Sequence, residues 1–271
     1  MFPYFELFGR VVGSYAVCSV MGMMVCAAVG TRLGARYKVS FEELLLYMVA
    51  IVLGLLAGGH ILFGLTHLEE LVKLLGSLGS LSGKEILAGL GTVFGGMVFY
   101  GGFLGGAAAL WFYVGAHKKH SRWVLFDLYG ALIPLFHTFG RVGCFLGGCC
   151  YGREGSWGFV VHGNPLVPEI NDVRRIPVPL LEAACNLCIF FLLLYLYQRG
   201  RQKGRIVFWY MVIYAPVRFV LEFFRGDAVR GIWWGLSTSQ WISILLFITG
   251  IAFLGRFGRR KQNITGVITN Q

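Results

Sequence analysis

The sequence predicts an all-α, polytopic membrane protein with seven transmembrane helices, its N-terminus outside and its C-terminus in the cytoplasm. Of the 271 residues, 56% are hydrophobic and 14% are charged, whereas soluble proteins carry roughly 25% charged residues. Apolar runs long enough to cross the bilayer as helices, about 17 to 25 residues each, occur seven times. They fall near 11–30, 43–65, 92–114, 124–146, 179–198, 205–225 and 240–257. We therefore expect one seven-helix domain over 1–258 and a polar cytoplasmic tail over 259–271.

The placement of the basic residues predicts the orientation. They are concentrated after the first, third, fifth and seventh spans, as Arg32, Arg36, Lys38, Lys118, Lys119, Arg122, Arg199, Arg201, Lys203, Arg205, Arg256, Arg259, Arg260 and Lys261. Cytoplasmic connections are enriched in Lys and Arg, so the connections 66–91, 147–178 and 226–239 are expected outside. Because this pattern accounts for the net charge of +11, no nucleic-acid partner is expected.

Glycines are concentrated in the third span, in the stretch GLGTVFGGMVFYGGFLGG over 89–106. One interpretation is close helix packing through faces of small residues. The other is a gap for a lipid head group, as in a broken helix that lines a polar cavity. The sequence leaves both open.

The fourth span ends in FHTFGRVGCFLGGCCYG, residues 136–152. An ionisable group inside a span costs roughly 2.5 to 3.5 kcal/mol, so Arg141 requires a partner or a function. On a helix, His137, Arg141 and Cys144 share one face, since they stand at i, i+4 and i+7. His137 is either bonded to a backbone carbonyl or acts as a general base or phosphate ligand.

The sixth span repeats this spacing in YAPVRFVLEFFRGD, with Arg218, Glu222 and Arg225. Glu222 can pair with Arg218 one turn away. Counting Arg141, three guanidiniums face one carboxylate, which predicts an anion site such as a lipid phosphate, because the guanidinium fork matches phosphate oxygens. The alternative is a salt-bridge cluster that locks the helices together.

Three of the seven cysteines, Cys144, Cys149 and Cys150, lie at the end of the fourth span. They could pack, act as a covalent nucleophile or bind a metal. The spacing C-x4-C-C lacks a C-x2-C pair and a second ligand cluster, which disfavours zinc. No metal site is therefore expected.

Taken in order along the chain, these motifs resemble the prolipoprotein diacylglyceryl transferase family. GRVGCFLGGCCYG resembles the family signature G-R-x-G-N-F-x-N-x-E-x-x-G. GGMVFYGGFLG is similar to its G-G-M-x-F-H-G-G, and YAPVRFVLEFFRGD to its Y-x-x-x-R-x-x-x-E-x-x-R. The resemblance covers almost the whole chain and implies the same fold.

Shorter matches extend the resemblance. Tyr15 matches the family's early essential tyrosine, and Asp127 matches an acid ahead of the signature. The stretch PVPLLEA, with Glu182, is similar to the family's P-S-Q-L-Y-E.

The resemblance implies a multi-pass enzyme of the bacterial plasma membrane that acts in lipoprotein biosynthesis. It would transfer the diacylglyceryl group of phosphatidylglycerol to the lipobox cysteine in the signal peptide of a prolipoprotein, releasing glycerol-1-phosphate. Its partners would be these substrates and membrane lipids, and no metal or organic cofactor is required. The implied catalytic residues are His137, Arg141, Arg218, Glu222 and Tyr100. The implied substrate-binding residues are Arg141, Tyr15, Gly143, Cys144, Gly152 and Arg225.

The departures from the family pattern fall on the residues of the chemistry. Tyr100 stands where the family has histidine, and Cys144, Gly147 and Cys149 stand where it has asparagine, asparagine and glutamate. His137 could replace the missing base, and Tyr100 is a weaker substitute because a phenol has a pKa of about 10. Two alternatives stay open: a divergent relative that delivers a lipid group to another acceptor, and a non-enzymatic membrane protein for lipid binding, redox chemistry or transport.

Overall fold

A computed structural model describes residues 3–7, 9–77, 79, 81–165, 167–200, 204–227 and 231–268. Side chains of residues 7, 99 and 257–268 lie outside this description, as do residues 201–203, which include the predicted Arg201 and Lys203, and residues 269–271 of the predicted tail. The described chain is mostly helical, with short two-stranded antiparallel sheets. It is an all-α membrane protein in its general architecture.

Five helical stretches of the described residues are long and apolar enough to cross a membrane. They are Ser14–Tyr37, Phe41–Thr66, Arg122–Gly147, Val178–Arg199 and Thr238–Arg256. The remaining two predicted spans correspond to helices of 19 and 17 residues, Phe99–His117 and Ile206–Glu222. The number of seven spans stays a prediction.

The chain divides into two compact units, one of residues 1–33 and 123–271 and one of residues 34–122. The first unit begins with a hairpin of β1 (Tyr4–Leu7) and β2 (Arg10–Gly13), followed directly by α1 (Ser14–Gly34). The first predicted span therefore starts three residues too early, because the chain pairs as a strand up to Gly13.

The second unit contains α2 (Phe41–Thr66), α3 (Leu68–Gly76), α4 (Gly83–Phe94) and α5 (Phe99–His117). α2 lies against α5 with glycines on both faces: a Cβ added to Gly58 would lie 2.2 Å from the carbonyl oxygen of Gly101, and one on Gly105 would lie 2.2 Å from that of Gly54. Only hydrogen fits at such a distance. The close-packing interpretation is confirmed for Gly101 and Gly105.

The predicted third span, 92–114, is wrong at its start, because the helix breaks between α4 and α5. His60 of α2 places Nδ1 2.7 Å from the carbonyl oxygen of Phe94 and 2.8 Å from that of Gly96. Both partners are acceptors, so Nδ1 donates to them. The last carbonyls of a helix have no intrahelical donor, and His60 satisfies two at the break.

The first unit continues with the remaining helices and strands. The helices are α6 (Arg122–Gly147), α7 (Val178–Arg199), α8 (Ile206–Glu222) and α9 (Thr238–Ile268). The strands are β3 (Glu154–Val160), β4 (Arg174–Arg175), β5 (Ile232–Trp233) and β6 (Leu236–Ser237). Asp127 of α6 accepts hydrogen bonds from the backbone N–H groups of Gly204 and Ile206, so it caps the start of α8.

The C-terminal ends of α6 and α8 and the N-terminal end of α7 meet at one end of this unit. Ile176, Val178 and Leu221 form a buried apolar cluster there. Gly152, beyond α6, pairs with Arg225, beyond α8, in an isolated β-bridge. This packing fixes the ends from which the candidate site is built.

Candidate active site

Arg141 has a buried partner. Its Nη2 lies 3.0 Å from Oε1 of Glu182, in the second turn of α7, and the Glu182 side chain is 1% exposed. The Tyr214 hydroxyl of α8 donates to the same carboxylate oxygen at 2.5 Å. A buried ion pair is tolerated when both charges are paired and hydrogen-bonded. Three helices are thereby joined through one carboxylate.

His137 is held between two side chains. Arg141 Nε donates to His137 Nε2 at 3.2 Å, and His137 Nδ1 lies 3.0 Å from the Tyr210 hydroxyl. Because Nε2 accepts, Nδ1 carries the proton and donates to Tyr210, whose hydroxyl donates to Asn186 Oδ1 at 3.3 Å. His137 is thus bonded to side chains and not to a backbone carbonyl. It can accept another proton only where Arg141 releases Nε2.

Arg218 and Glu222 form the predicted pair on α8, with Arg218 Nη2 2.7 Å from Glu222 Oε2. The same Nη2 donates to Ser239 Oγ of α9 at 2.9 Å. Nη1 of Arg218 is buried and has no hydrogen-bond partner among the described residues. A buried donor without an acceptor is costly, and it is a ready donor for an anionic oxygen.

Arg225 lies outside α8, since the helix ends at Glu222, and the predicted third member of the helical stripe is wrong. The chain turns there, and Arg225 forms a fork with Asp227, at 3.0 Å from Nε to Oδ1 and 2.5 Å from Nη2 to Oδ2. The predicted excess of positive charge, three guanidiniums facing one carboxylate, is also wrong. Glu182 and Asp227 join Glu222, so three carboxylates face three guanidiniums.

Gly143 and Gly152 serve close packing. A Cβ on Gly143 would lie 3.1 Å from Tyr15 Cα, and one on Gly152 would lie 2.2 Å from the Ile176 carbonyl oxygen. The Tyr15 side chain is 54% exposed and lies within electrostatic range of Cys144, Arg141 and Cys149. α1 thus brings Tyr15 beside the end of α6.

The end of α6 brings three thiols together. Gly148, at φ +81°, donates to the Phe145 carbonyl at 3.2 Å, and Cys149 N–H donates to the Cys144 carbonyl at 3.1 Å. This pair of bonds is a Schellman motif, which folds the second residue beyond the helix back over its last turn. The sulfur atoms of Cys144, Cys149 and Cys150 lie within 4.8 Å of one another, and all three are free thiols.

Comparison with known proteins decides the family, since a family model for prolipoprotein diacylglyceryl transferase matches residues 4–256. The chain belongs to this family. It is 28% identical over 263 residues to the phosphatidylglycerol--prolipoprotein diacylglyceryl transferase of Clostridium tetani, covering 95% of this chain and 98% of that protein. A second such transferase of Clostridium perfringens is 29% identical over 251 residues, covering 91% of each chain. That of Campylobacter curvus is 37% identical over 174 residues, covering 62% of this chain and 60% of the relative.

Within this transferase fold, four of the residues implied as catalytic lie in one unit: His137, Arg141, Arg218 and Glu222. Tyr100 lies in the first turn of α5 in the other unit. The sequence reasoning did not assign a site role to the residues that hold this group in place, Glu182, Asn186, Tyr210, Tyr214 and Asp227. Glu182 could have been recognised from the sequence, because it is an acidic residue within the apolar span 179–198.

The structure brings together three thiols that the linear spacing C-x4-C-C does not predict to meet. The end of α6 returns the chain onto its last turn, so the sulfur atoms converge. Hydrogen bonds with the Cys144 and Cys149 thiols lower the pKa of the Cys150 thiol, burial opposes this, and Arg225 and Arg141 add to the lowering. At Cys150 the thiolate is thus favoured, whereas the pKa of the Cys149 thiol is raised by its hydrogen bond with Cys150 and by burial.

A shallow, mostly apolar cleft opens beside Cys149. Phe145, Tyr151, Phe159 and Ile176 contribute to its walls. Its walls offer an apolar surface next to the thiols.

Proposed function

We propose that the protein transfers the diacylglyceryl group of phosphatidylglycerol to the lipobox cysteine of prolipoproteins and releases glycerol-1-phosphate. The family match over residues 4–256 carries this proposal. The names of the relatives from Clostridium tetani and Clostridium perfringens, which each align over more than nine tenths of their length, state both substrates. The protein is thus a transferase of lipoprotein biosynthesis.

We further propose seven spans in the bacterial plasma membrane, with the N-terminus outside and the C-terminus in the cytoplasm. α7 ends at Arg199, and the helical stretch Thr238–Arg256 ends at Arg256. These basic ends lie opposite the end at which Arg141 and Glu182 meet. By the positive-inside rule we expect these ends in the cytoplasm, and the candidate site would then lie at the outer leaflet.

The guanidiniums of Arg141 and Arg218 bind the lipid phosphate in this proposal. Nη1 of Arg218 offers a buried donor without an acceptor among the described residues. Glu182 and Glu222 hold the two guanidiniums in position at 3.0 and 2.7 Å. Donors fixed in advance stabilise the charge that develops on the departing glycerol phosphate.

His137 takes the thiol proton when its Nε2 is released. A phosphate that draws Arg141 away would break the 3.2 Å bond from Arg141 Nε to His137 Nε2. The imidazole could then accept a proton at Nε2 while Tyr210 keeps Nδ1 in place. Lipid binding would in this way switch on the base.

The test uses the full-length protein in lipid nanodiscs with phosphatidylglycerol and a synthetic lipobox peptide. We expect release of glycerol phosphate and a diacylglyceryl mass increment on the peptide. A peptide with serine in place of the lipobox cysteine is the matched control and should gain no mass. Lack of both products with the cysteine peptide would refute the proposal.

A second candidate function is transfer to another acceptor through a covalent carrier. The free thiol of Cys144, which acts electrostatically on Arg141, favours it, and the free thiol of Cys149 lies within 4.8 Å of that of Cys144. Incubation with lipid alone would then add a diacylglyceryl group to the protein, measurable by intact mass. Direct transfer would leave the mass of the protein unchanged, and that result would exclude this candidate.

A further inference from the structure

We propose that Cys144, Cys149 and Cys150 bind a thiophilic divalent metal ion, Zn²⁺ above all, and that its fourth coordination position receives the thiol of the acceptor peptide. Metal binding by the cluster is independent of the reaction. The role of the fourth position rests on the proposed transfer.

The distances fit one ion. Zn–S bonds of about 2.3 Å in a tetrahedral site place the sulfur atoms about 3.8 Å apart. The three sulfur atoms already lie within 4.8 Å of one another, so side-chain rotations that close the gaps by about 1 Å would complete the site. Three protein ligands with an open fourth position are the arrangement of catalytic zinc.

The backbone holds two of the ligands in place before any ion binds. Cys144 is buried in the last turns of α6, and Cys149 is returned over it by its N–H bond to the Cys144 carbonyl. Cys150 follows at φ 58°, a left-handed conformation that is uncommon for residues other than glycine. A tight turn at this position therefore directs all three thiols to one point.

The charge balance also fits. Three thiolates and one dication leave a charge of −1, and Arg141 and Arg225 both act electrostatically on Cys150. A cation lowers thiol pKa values enough to deprotonate its ligands outright. The two arginines then act on this charge from nearby, while Glu182 and Asp227 stay their direct partners.

In this proposal the metal ion activates the acceptor thiol. This role could replace that of the family histidine, since the present chain has Tyr100 at that position. The ion would bind the acceptor thiol and lower its pKa, and the thiol proton would pass to Nε2 of His137, as in the proposed function. The sulfur lone pair would attack the carbon of the diacylglyceryl group that is bonded to a phosphate oxygen. A C–S bond would form as this C–O bond breaks, and the electron pair of the C–O bond would leave with the oxygen of glycerol-1-phosphate. The metal stays divalent throughout, and Arg141 and Arg218 receive the phosphate.

The open side of the cluster is accessible. Cys149 is exposed, and the apolar cleft next to it is lined by Phe145 and Phe159. An apolar side chain that neighbours the acceptor cysteine could pack against these aromatic walls while the cysteine reaches the metal.

The first experiment measures metal in the full-length protein, purified reduced in nanodiscs and incubated with Zn²⁺. After removal of free ion, we expect about one zinc per chain. Cys149→Ser and Cys150→Ser should lower zinc binding at least tenfold. Cys188→Ser, which changes an exposed thiol of α7 outside the cluster, should leave zinc content unchanged. Absence of zinc from the wild type, or equal content in Cys149→Ser, would overturn the metal site.

The second experiment loads the protein with Co²⁺ and follows its thiolate charge-transfer absorption. Addition of the lipobox peptide should change the spectrum, and the serine peptide should not. A response to neither peptide would overturn the role of the fourth position. Thiol titration tests whether two cysteines of the cluster form a disulfide instead. A disulfide would remove two of the seven thiols and would contradict the proposal.

The outcomes distinguish this inference from the proposed function. Transfer at full rate by metal-free protein sustains the function and refutes the metal's role in it. Stoichiometric zinc with a peptide-sensitive cobalt spectrum but no transfer sustains the site and refutes the function.

Discussion

The α2–α5 pair and the ends of α6, α7 and α8 at the candidate site are held together by opposite means. Gly58 and Gly105 let two backbones touch, with no charge involved. At the candidate site, Arg141 and Glu182 bury opposite charges between helices. Lipid tails are as apolar as the helices, so association in a bilayer depends on close packing or on polar pairs. The glycine surface tolerates no added atoms, whereas the polar site tolerates no unpaired charge.

The largest effect is expected from removing one charge of the buried pair. Arg141→Ala should lower the rate of transfer by about 10² to 10³, the loss typical for a donor to developing charge. It should also cost about 3 to 5 kcal/mol of stability, because Glu182 stays buried without its partner. Glycerol phosphate release and thermal unfolding measure the two losses.

The double variant Arg141→Ala/Glu182→Gln separates these losses. Stability should recover because no unpaired charge remains, whereas activity should stay low. Recovery of activity in the double variant would show that Arg141 serves the structure alone.

The glycine surface should respond to volume and not to charge. Gly58→Leu should lower the free energy of unfolding by about 1 to 3 kcal/mol or more, because the added side chain meets the backbone of α5. Gly91→Ala is the matched control: nothing lies within 4 Å of its added Cβ, and alanine favours the helix. Equal unfolding temperatures for both variants would contradict the packing.

The hydrogen-bonded chain through His137 predicts a smaller effect. Tyr210→Phe removes the acceptor of the His137 Nδ1 proton and should lower kcat a few-fold, as expected for the loss of about 1 kcal/mol. KM for the peptide should be unchanged. A proportional rise in KM with constant kcat would show that Tyr210 acts on peptide binding instead.

The smallest effect is expected at the opposite end of α8. Asp127→Asn keeps one acceptor oxygen for the backbone N–H groups of Gly204 and Ile206, and should cost about 1 kcal/mol, typical of a helix cap. Thermal unfolding should shift, whereas transfer by the folded protein should not. A loss of transfer at full stability would give Asp127 a role at the site.

Much of the fold could be predicted from the long apolar runs, since every predicted span contains a helix. The break between α4 and α5 could not, because it depends on His60 reaching two carbonyls from another helix. The candidate site divides in the same way. Arg141, Arg218 and Glu222 stand out as charges in apolar runs, but Asp227 carries no such signal.

The sequence by itself determined a helical membrane protein, the family motifs and the helical alignment of His137 with Arg141, because these depend on composition and on residues within one helix. Tertiary structure alone decided that Glu182 neutralises Arg141 and that Arg225 lies beyond its helix with Asp227. It also brought Cys149 and Cys150 to Cys144. Partners from other helices and the path of the chain past a helix end set these contacts, and neither follows from spacing along the chain.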